Sequence, residues 1–227
     1  MKIIIAIDSF KGSLTSIEAG QAAQEAILQA YPECQTEIIP IADGGEGMLD
    51  VMLNTTGGIR QTLNAHNPCM ELIETSYGIS ADGTTAFIEM ASVSGLPLIK
   101  DAQRNPMKTT TFGTGELIKD ALEKGCTRFI IGIGGSATND AGTGMLQALG
   151  FRFLDKDGST LGQGGETLEK TVHICTQNVH PSLKNAHFIV ACDVQNPFYG
   201  PNGAAHIYAR QKGADDAMIT KLDKGMK

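Results

Sequence analysis

Apolar and polar positions alternate along this chain in a pattern that predicts repeated strand-loop-helix units. Residues 2–7 are, after Lys2, apolar and mostly β-branched, as in a central parallel strand. Thr15-x-x-Glu18 then has the spacing of a capping box, and residues 19–30 carry helical periodicity closed by Pro32. Residues 36–41 repeat the strand pattern. Residues 48–53 repeat the helical one and stop at Gly57-Gly58. The texture changes at residues 71–79 and 84–90, which alternate or run apolar around Asp82-Gly83, a hairpin signal. Residues 92–107, with Pro97 and Pro106, read as loop, and 117–124 as helix. The apolar run 129–131 predicts a buried strand that breaks into Gly132, Gly134, Gly135 and Ser136. Met145, Leu146 and Leu149 then mark a helix ending at Gly150. Further on, residues 151–154 meet the turn Asp155-Lys156-Asp157-Gly158. Residues 167–176 and 187–192 read as strands and 203–211 as helix. Residues 221–227 form a charged helical pattern with no closing element, as in a chain cut short.

Two textures therefore interleave. The fold class expected is α/β: a Rossmann-like, doubly wound parallel sheet (1–65 and 107–150) with a mixed, hairpin-containing α/β domain (66–106 and 151–227) inserted into it. A cleft between the two is the expected site, because open α/β sheets bind ligands beyond the carboxyl ends of their strands.

Composition narrows the function classes. The 227 residues are 41% hydrophobic, enough for a sizeable core, and the net charge of −7 argues against nucleic-acid or membrane-surface partners. The five cysteines are odd in number and lack CxxC spacing, so they propose neither a disulfide framework nor a zinc site. The first apolar run is too short for a signal peptide or a membrane span, which makes a reduced, cytoplasmic location the default. There is no Gly-Lys pair, hence no P-loop, and neither Gly-x-Ser-x-Gly nor His-Glu-x-x-His occurs.

What remains is a set of polar loops at strand ends. Asp8, Ser9, Lys11 and Ser13 form the first, where a lysine beside serines can hold a phosphate or carboxylate as a point charge. Asp43 and Glu46 lie in a glycine-rich loop and can hold Mg²⁺ or accept a proton; helix capping would also suit them. Thr109, Thr111 and Thr114, with Gly113 and Gly115, offer an anion-binding helix start. Gly134-Gly135-Ser136 offers another, with Asn139 and Asp140 placed to cap the helix or to face a ligand or metal. Asp193 and Asn196 end a strand as a base and metal-ligand pair, or as an Asx-turn before Pro197. Three carboxylate loops, two glycine loops and a lysine together suggest metal-assisted chemistry on phosphate. The rival reading is a nicotinamide-dependent oxidoreductase, resting on Gly132-x-Gly134-x-x-Ala137 with Asp155 about 20 residues on. A non-enzymatic, regulatory small-molecule binding module is a third.

Six motifs, DSFKGSLTS (8–16), PIADGGEG (40–47), TFGTGELI (111–118), IGIGGSATNDAG (131–142), ACDVQNP (191–197) and RQKGA (210–214), occur in an order that resembles bacterial glycerate kinases of the first type. The resemblance runs through the whole chain. It departs at Ala141, where the family commonly has glycine, and at Met48, where it commonly has threonine. It implies ATP-dependent phosphorylation of D-glycerate with Mg²⁺, at the 2-hydroxyl, in a Rossmann-like domain joined to a mixed α/β domain. It also implies a longer chain, continuing past Lys227. On that basis Gly134, Gly135, Ser136, Asn139 and Thr114 are expected to hold ATP, and Lys11 to neutralise phosphoryl or carboxylate charge. Asp43 and Glu46 would hold Mg²⁺, and Asp8, Ser9 and Asn196 the substrate. Asp193 is the first choice for base and Asp140 the second.

Overall fold

The computed structural model describes residues 1–10 and 13–227. The chain opens with β1 (Lys2–Ile5), α1 (Ser16–Ala30), β2 (Gln35–Ile38) and α2 (Met48–Thr56). The capping box forms as its spacing requires: the Glu18 amide donates to Thr15 Oγ1 at 3.2 Å, and the Thr15 amide to Glu18 Oε2 at 2.8 Å. β1 and β2 pair in parallel as a two-stranded sheet of their own, so β1 is not the central strand its composition announces. Ile4 is consequently exposed. α2 ends where Gly57 turns left-handed at φ 64°, a conformation glycine adopts without a Cβ penalty.

The main sheet contains β3 (Ile59–His66), β4 (Leu72–Ile79), β5 (Thr85–Glu89), β6 (Arg128–Gly132) and β9 (His187–Ala191), in the order β3-β4-β5-β6-β9. β3, β4 and β5 are joined antiparallel, while β5, β6 and β9 run parallel. The hairpin at Asp82-Gly83 forms as expected, but its strands share this sheet with β6 and β9. The sheet thus draws on all the segments beyond β3 that texture had separated. An alternating pattern reports an antiparallel neighbour with one polar side; it carries no information about which sheet a strand joins. β3 had no counterpart in the expected elements. It is an edge strand whose inward side offers only Leu63 and Ala65 over a polar outer side, so its alternation is weak.

Short helix α3 (Ala91–Ser94) and two 3-10 turns fill the region expected to be loop, and lead to α4 (Phe112–Glu123). Leu117, Ile118, Ala121 and Leu122 of α4 are buried against Tyr77, Ile88, Phe129 and Ile131 of the sheet. Each large apolar side chain buried there contributes about 1.5–3 kcal/mol. α2 packs on the opposite face, with Leu49 and Leu53 over Gly78.

α5 (Thr143–Ala148) begins later than the glycine loop suggested, capped by Gly142 in the left-handed region at φ 74°. β7 (Arg152–Leu154) pairs antiparallel with β8 (His173–Cys175). Of residues 167–176, expected as one strand, only β8 is extended; the first part falls in a 3-10 turn, Gly165–Lys170, that starts at Gly164 and Gly165. α6 (Ala204–Tyr208), a 3-10 turn Arg210–Lys212 and α7 (Asp216–Met226) then build a second small core around Ala205, Ala209, Ile219 and Leu222.

Candidate active site

The loops that follow β1, β2, β6 and β9 meet beyond the carboxyl ends of those strands. Backbone approach is the reason two glycines are needed. A Cβ on Gly44 would lie 2.6 Å from the Ala191 carbonyl oxygen at the end of β9, and one on Gly132 would strike the carbonyl of Gly44. The Gly134 amide donates to that same Gly44 carbonyl at 3.4 Å. Asp43 and Glu46 are thereby held next to the glycine loop and the start of the Asp193 loop. From the first loop, Ser9 Oγ donates to the Glu46 carbonyl at 3.4 Å, and Asp8 Oδ1 accepts the Ser9 amide at 2.6 Å. Asp8, Ser9, Asp43, Glu46 and Gly134 are therefore one cluster. Lys11 lies outside the described residues. Asp43 Oδ1 accepts the Gly45 amide at 2.9 Å, which orders the turn. Among the described residues no three His, Cys, Asp or Glu side chains gather as a metal cage.

A cavity of about 390 Å³ opens beside this cluster, between the ends of β6 and β9 and the α6–α7 unit. Ile131, Ile133, Val190 and Phe188 form its apolar wall, and Thr114, Ser136, Asn139 and Asp140 contribute polar surface. Gly135 stands at φ 72° and is exposed, as a loop that offers its backbone to a ligand requires. Its carbonyl accepts the Leu96 amide at 2.9 Å. Because α5 starts only at Thr143, the loop does not sit on that helix's N-terminus. Positive charge there has to come from side chains or a bound cation rather than from that helix.

Asp140 and Asn139 have structural partners. Asp140 is 1% exposed. Its Oδ2 accepts from the Thr111 amide (2.8 Å), Thr111 Oγ1 (2.9 Å), the Gly144 amide (3.2 Å) and Thr110 Oγ1 (3.4 Å), and its Oδ1 from the Gly142 amide (3.1 Å). Thr111 Oγ1 in turn accepts the Met145 amide at 2.9 Å. One carboxylate thus ties the starts of α4 and α5 together. Asn139 Nδ2 donates to Met226 Sδ at 3.4 Å, joining the glycine loop to α7. Thr114 Oγ1 shares a 2.9 Å hydrogen bond with Ser94 Oγ.

Asp193 and Asn196 lie on the exposed loop after β9. Asn196 accepts from the Tyr208 hydroxyl and donates to the Asn202 carbonyl at 3.3 Å, which fastens the far end of that loop to α6.

Two charged groups of this region were not singled out from sequence. Glu89, at the end of β5, accepts the Leu49 amide at 2.8 Å near the start of α2, and burial pushes its carboxyl above the ordinary range. Lys212, 7% exposed, lines the cavity. Its Nζ donates to Ser136 Oγ at 2.7 Å and to the Thr138 carbonyl at 2.6 Å. Burial lowers its pKa to about 8 against the pull of the Asp140 charge. The RQKGA motif was its one sequence signal.

The dinucleotide reading has no support in this geometry. Asp155 Oδ1 accepts the Asp157 and Ser159 amides, both at 2.9 Å, in a tight turn after antiparallel β7, and no parallel strand carries it toward the glycine loop. No helix among the described residues is long and apolar enough to cross a membrane.

Comparison with known proteins agrees with the motif order. The chain is 48% identical to a glycerate 2-kinase of Escherichia coli and 46% identical to a glycerate kinase of Bacillus subtilis, each over 100% of its own length and 59% of theirs. A crystal structure of a putative glycerate kinase 2 from Salmonella typhimurium LT2 superposes with a TM-score of 0.90 at 44% identity, covering 100% of this chain and 60% of that one. The chain spans about 60% of the length of the relatives it matches. The family model for the glycerate kinase family matches residues 3–227, and the chain belongs to that family.

Proposed function

We propose that the protein of which these residues form part phosphorylates D-glycerate, at the 2-hydroxyl, with ATP as donor. The observation that carries this is the convergence of the Asp8–Ser9, Asp43–Glu46 and Gly134–Ser136 loops at the ends of β6 and β9, in a chain of this family. The E. coli relative, named a glycerate 2-kinase, supports the 2-hydroxyl. Phosphoryl transfer asks mainly for positioning and charge neutralisation, which loops fixed at rigid strand ends supply. The backbone of Gly134 and Gly135, with Ser136, would line the nucleotide phosphates, and Thr114 and Asn139 would border them. Asp8, Ser9 and Asn196 would position the hydroxy acid, and Lys11 would neutralise its carboxylate or the phosphoryl group. Asp43 and Glu46 present hard oxygen donors, and one or two carboxylates suffice for a Mg²⁺ that keeps its other ligands on phosphate and water. Bound there, Mg²⁺ would neutralise charge on the phosphates. Asp193, at the exit of a strand, would take the hydroxyl proton. Asp140 would anchor the loop; its burial and the hydrogen bonds that both its oxygens already accept speak for that role over the base. The site would lie between the β1–α2 unit and the main sheet with its α6–α7 companion, and the enzyme would act in the cytoplasm.

The test is a coupled assay with ATP, Mg²⁺ and D-glycerate, with the product's phosphate position read by ³¹P NMR. ADP release that depends on D-glycerate and yields a 2-phosphate is the expected result. Release independent of D-glycerate would remove the proposal.

A further inference from the structure

Lys212 has no part in the reaction as proposed above, yet it is held where an anion would arrive. Asp140 and Lys212 are the only side chains of formal charge among the described buried residues. No carboxylate of the described residues lies within ion-pair distance of Lys212, and its two acceptors, Ser136 Oγ and the Thr138 carbonyl, are neutral. Asp140 pulls on it from a distance with oxygens already committed to Thr111, Gly142 and Gly144. An ammonium has three donors, and two are accounted for. Burying a cation without a counter-ion is unfavourable, so a ligand anion that completes the pair gains the whole of that interaction. The surroundings add to this. The chain carries a net −7, the glycine loop has no helix N-terminus behind it, and Lys212 is the only basic residue among those described that line the cavity.

We propose that Lys212 is an anion-binding residue of this cavity, its ammonium aligned by Ser136 and Thr138 to take an anionic oxygen of a ligand. The shared chemistry is a phosphate oxygen of the nucleotide or the carboxylate of the hydroxy acid. The choice of these two ligands rests on the kinase reading; the anion site itself does not.

The test is calorimetric titration of the full-length protein and of its Lys212→Gln and Lys212→Met variants with pyrophosphate, ATP and D-glycerate in turn. Gln keeps a donor for Ser136 and Thr138 but no charge, so it separates a binding cation from a clamp on the loop. Affinity for at least one anion should fall about 10–100-fold in both variants. Loss for ATP and pyrophosphate assigns Lys212 to phosphate, and loss for D-glycerate alone assigns it to the carboxylate. Pyrophosphate binding that is lost in the variants, in a wild type that takes neither ATP nor D-glycerate, upholds the anion site and sinks the kinase reading. Affinities for all three anions within threefold of wild type in Lys212→Gln, or no binding of any of them to wild type, overturn the inference.

Discussion

Replacing Asp140 by Asn separates an anchor from a general base, because only the anchor predicts a large loss of stability. The carboxylate accepts four hydrogen bonds on Oδ2, from the Thr111 amide, the Thr111 hydroxyl, the Gly144 amide and, at 3.4 Å, the Thr110 hydroxyl, and one on Oδ1 from the Gly142 amide. A carboxamide must put its NH₂ at one of these positions. At Oδ1 it loses one bond and turns a donor toward the Gly142 amide; at Oδ2 it loses four. Even the better orientation removes the charge from the remaining four bonds. A hydrogen bond to a charged group contributes about 1.5–3 kcal/mol and a neutral one about 0.5–1.5. Partial relief from burying a charge offsets some of this, and the net loss expected is about 3–5 kcal/mol. For a chain of this size that is roughly 6–20 °C in melting temperature. Calorimetry or chemical denaturation reads it directly. Thr111→Val should be less damaging and clearly non-additive with Asp140→Asn, since the first removes and the second weakens the same hydroxyl–carboxylate bond. An Asp140→Asn protein that melts within about 2 °C of wild type while its turnover drops a hundredfold or more would refute the anchor and reinstate the base.

Three further outcomes are expected. Ala141 sits at φ 53°, exposed, in a region that costs a residue with a Cβ about 1–2 kcal/mol, so Ala141→Gly should raise stability by about 0.5–1 kcal/mol after the larger unfolded-state entropy of glycine; a lower melting temperature would count against the strain. Lys212 gives up its proton near pH 8 when folded, against an ordinary value of 10.5, so between these values the unfolded chain binds more protons and stability rises with pH. That rise should be missing from Lys212→Met, and identical pH profiles for the two proteins would show that Lys212 titrates normally. For Asp193→Asn, kcat should fall about 10²–10⁴-fold with KM for ATP nearly unchanged if it is the base, and activity within a few-fold of wild type at every Mg²⁺ concentration would leave it an Asx-turn.

Short-range signals were legible in the sequence because their physics is short-range. The Thr15–Glu18 box needs only residues three apart, and Gly83 at φ 71° needs only its own backbone to turn the β4–β5 hairpin. The loops at strand ends, and most of the residues in them, followed from the same local patterns. Their motif order was enough to point to the family.

Tertiary structure alone decided which strands share a sheet and which charges share a site. β3 escaped notice because an edge strand needs few apolar positions, and β4–β5 joined β6 because backbone pairing is indifferent to texture. Asp140 read equally as a helix cap, a ligand group or a second-choice base until the α4 and α5 starts were seen to close on it from Thr111 and from Gly142 and Gly144. Lys212 lies 74 residues from the carbonyl it touches. Nothing in a linear pattern marks a lysine as buried, because its burial comes from α6, α7 and the glycine loop folding over it. The energy that shifts its proton arises only when those separate pieces of chain exclude water from the same place.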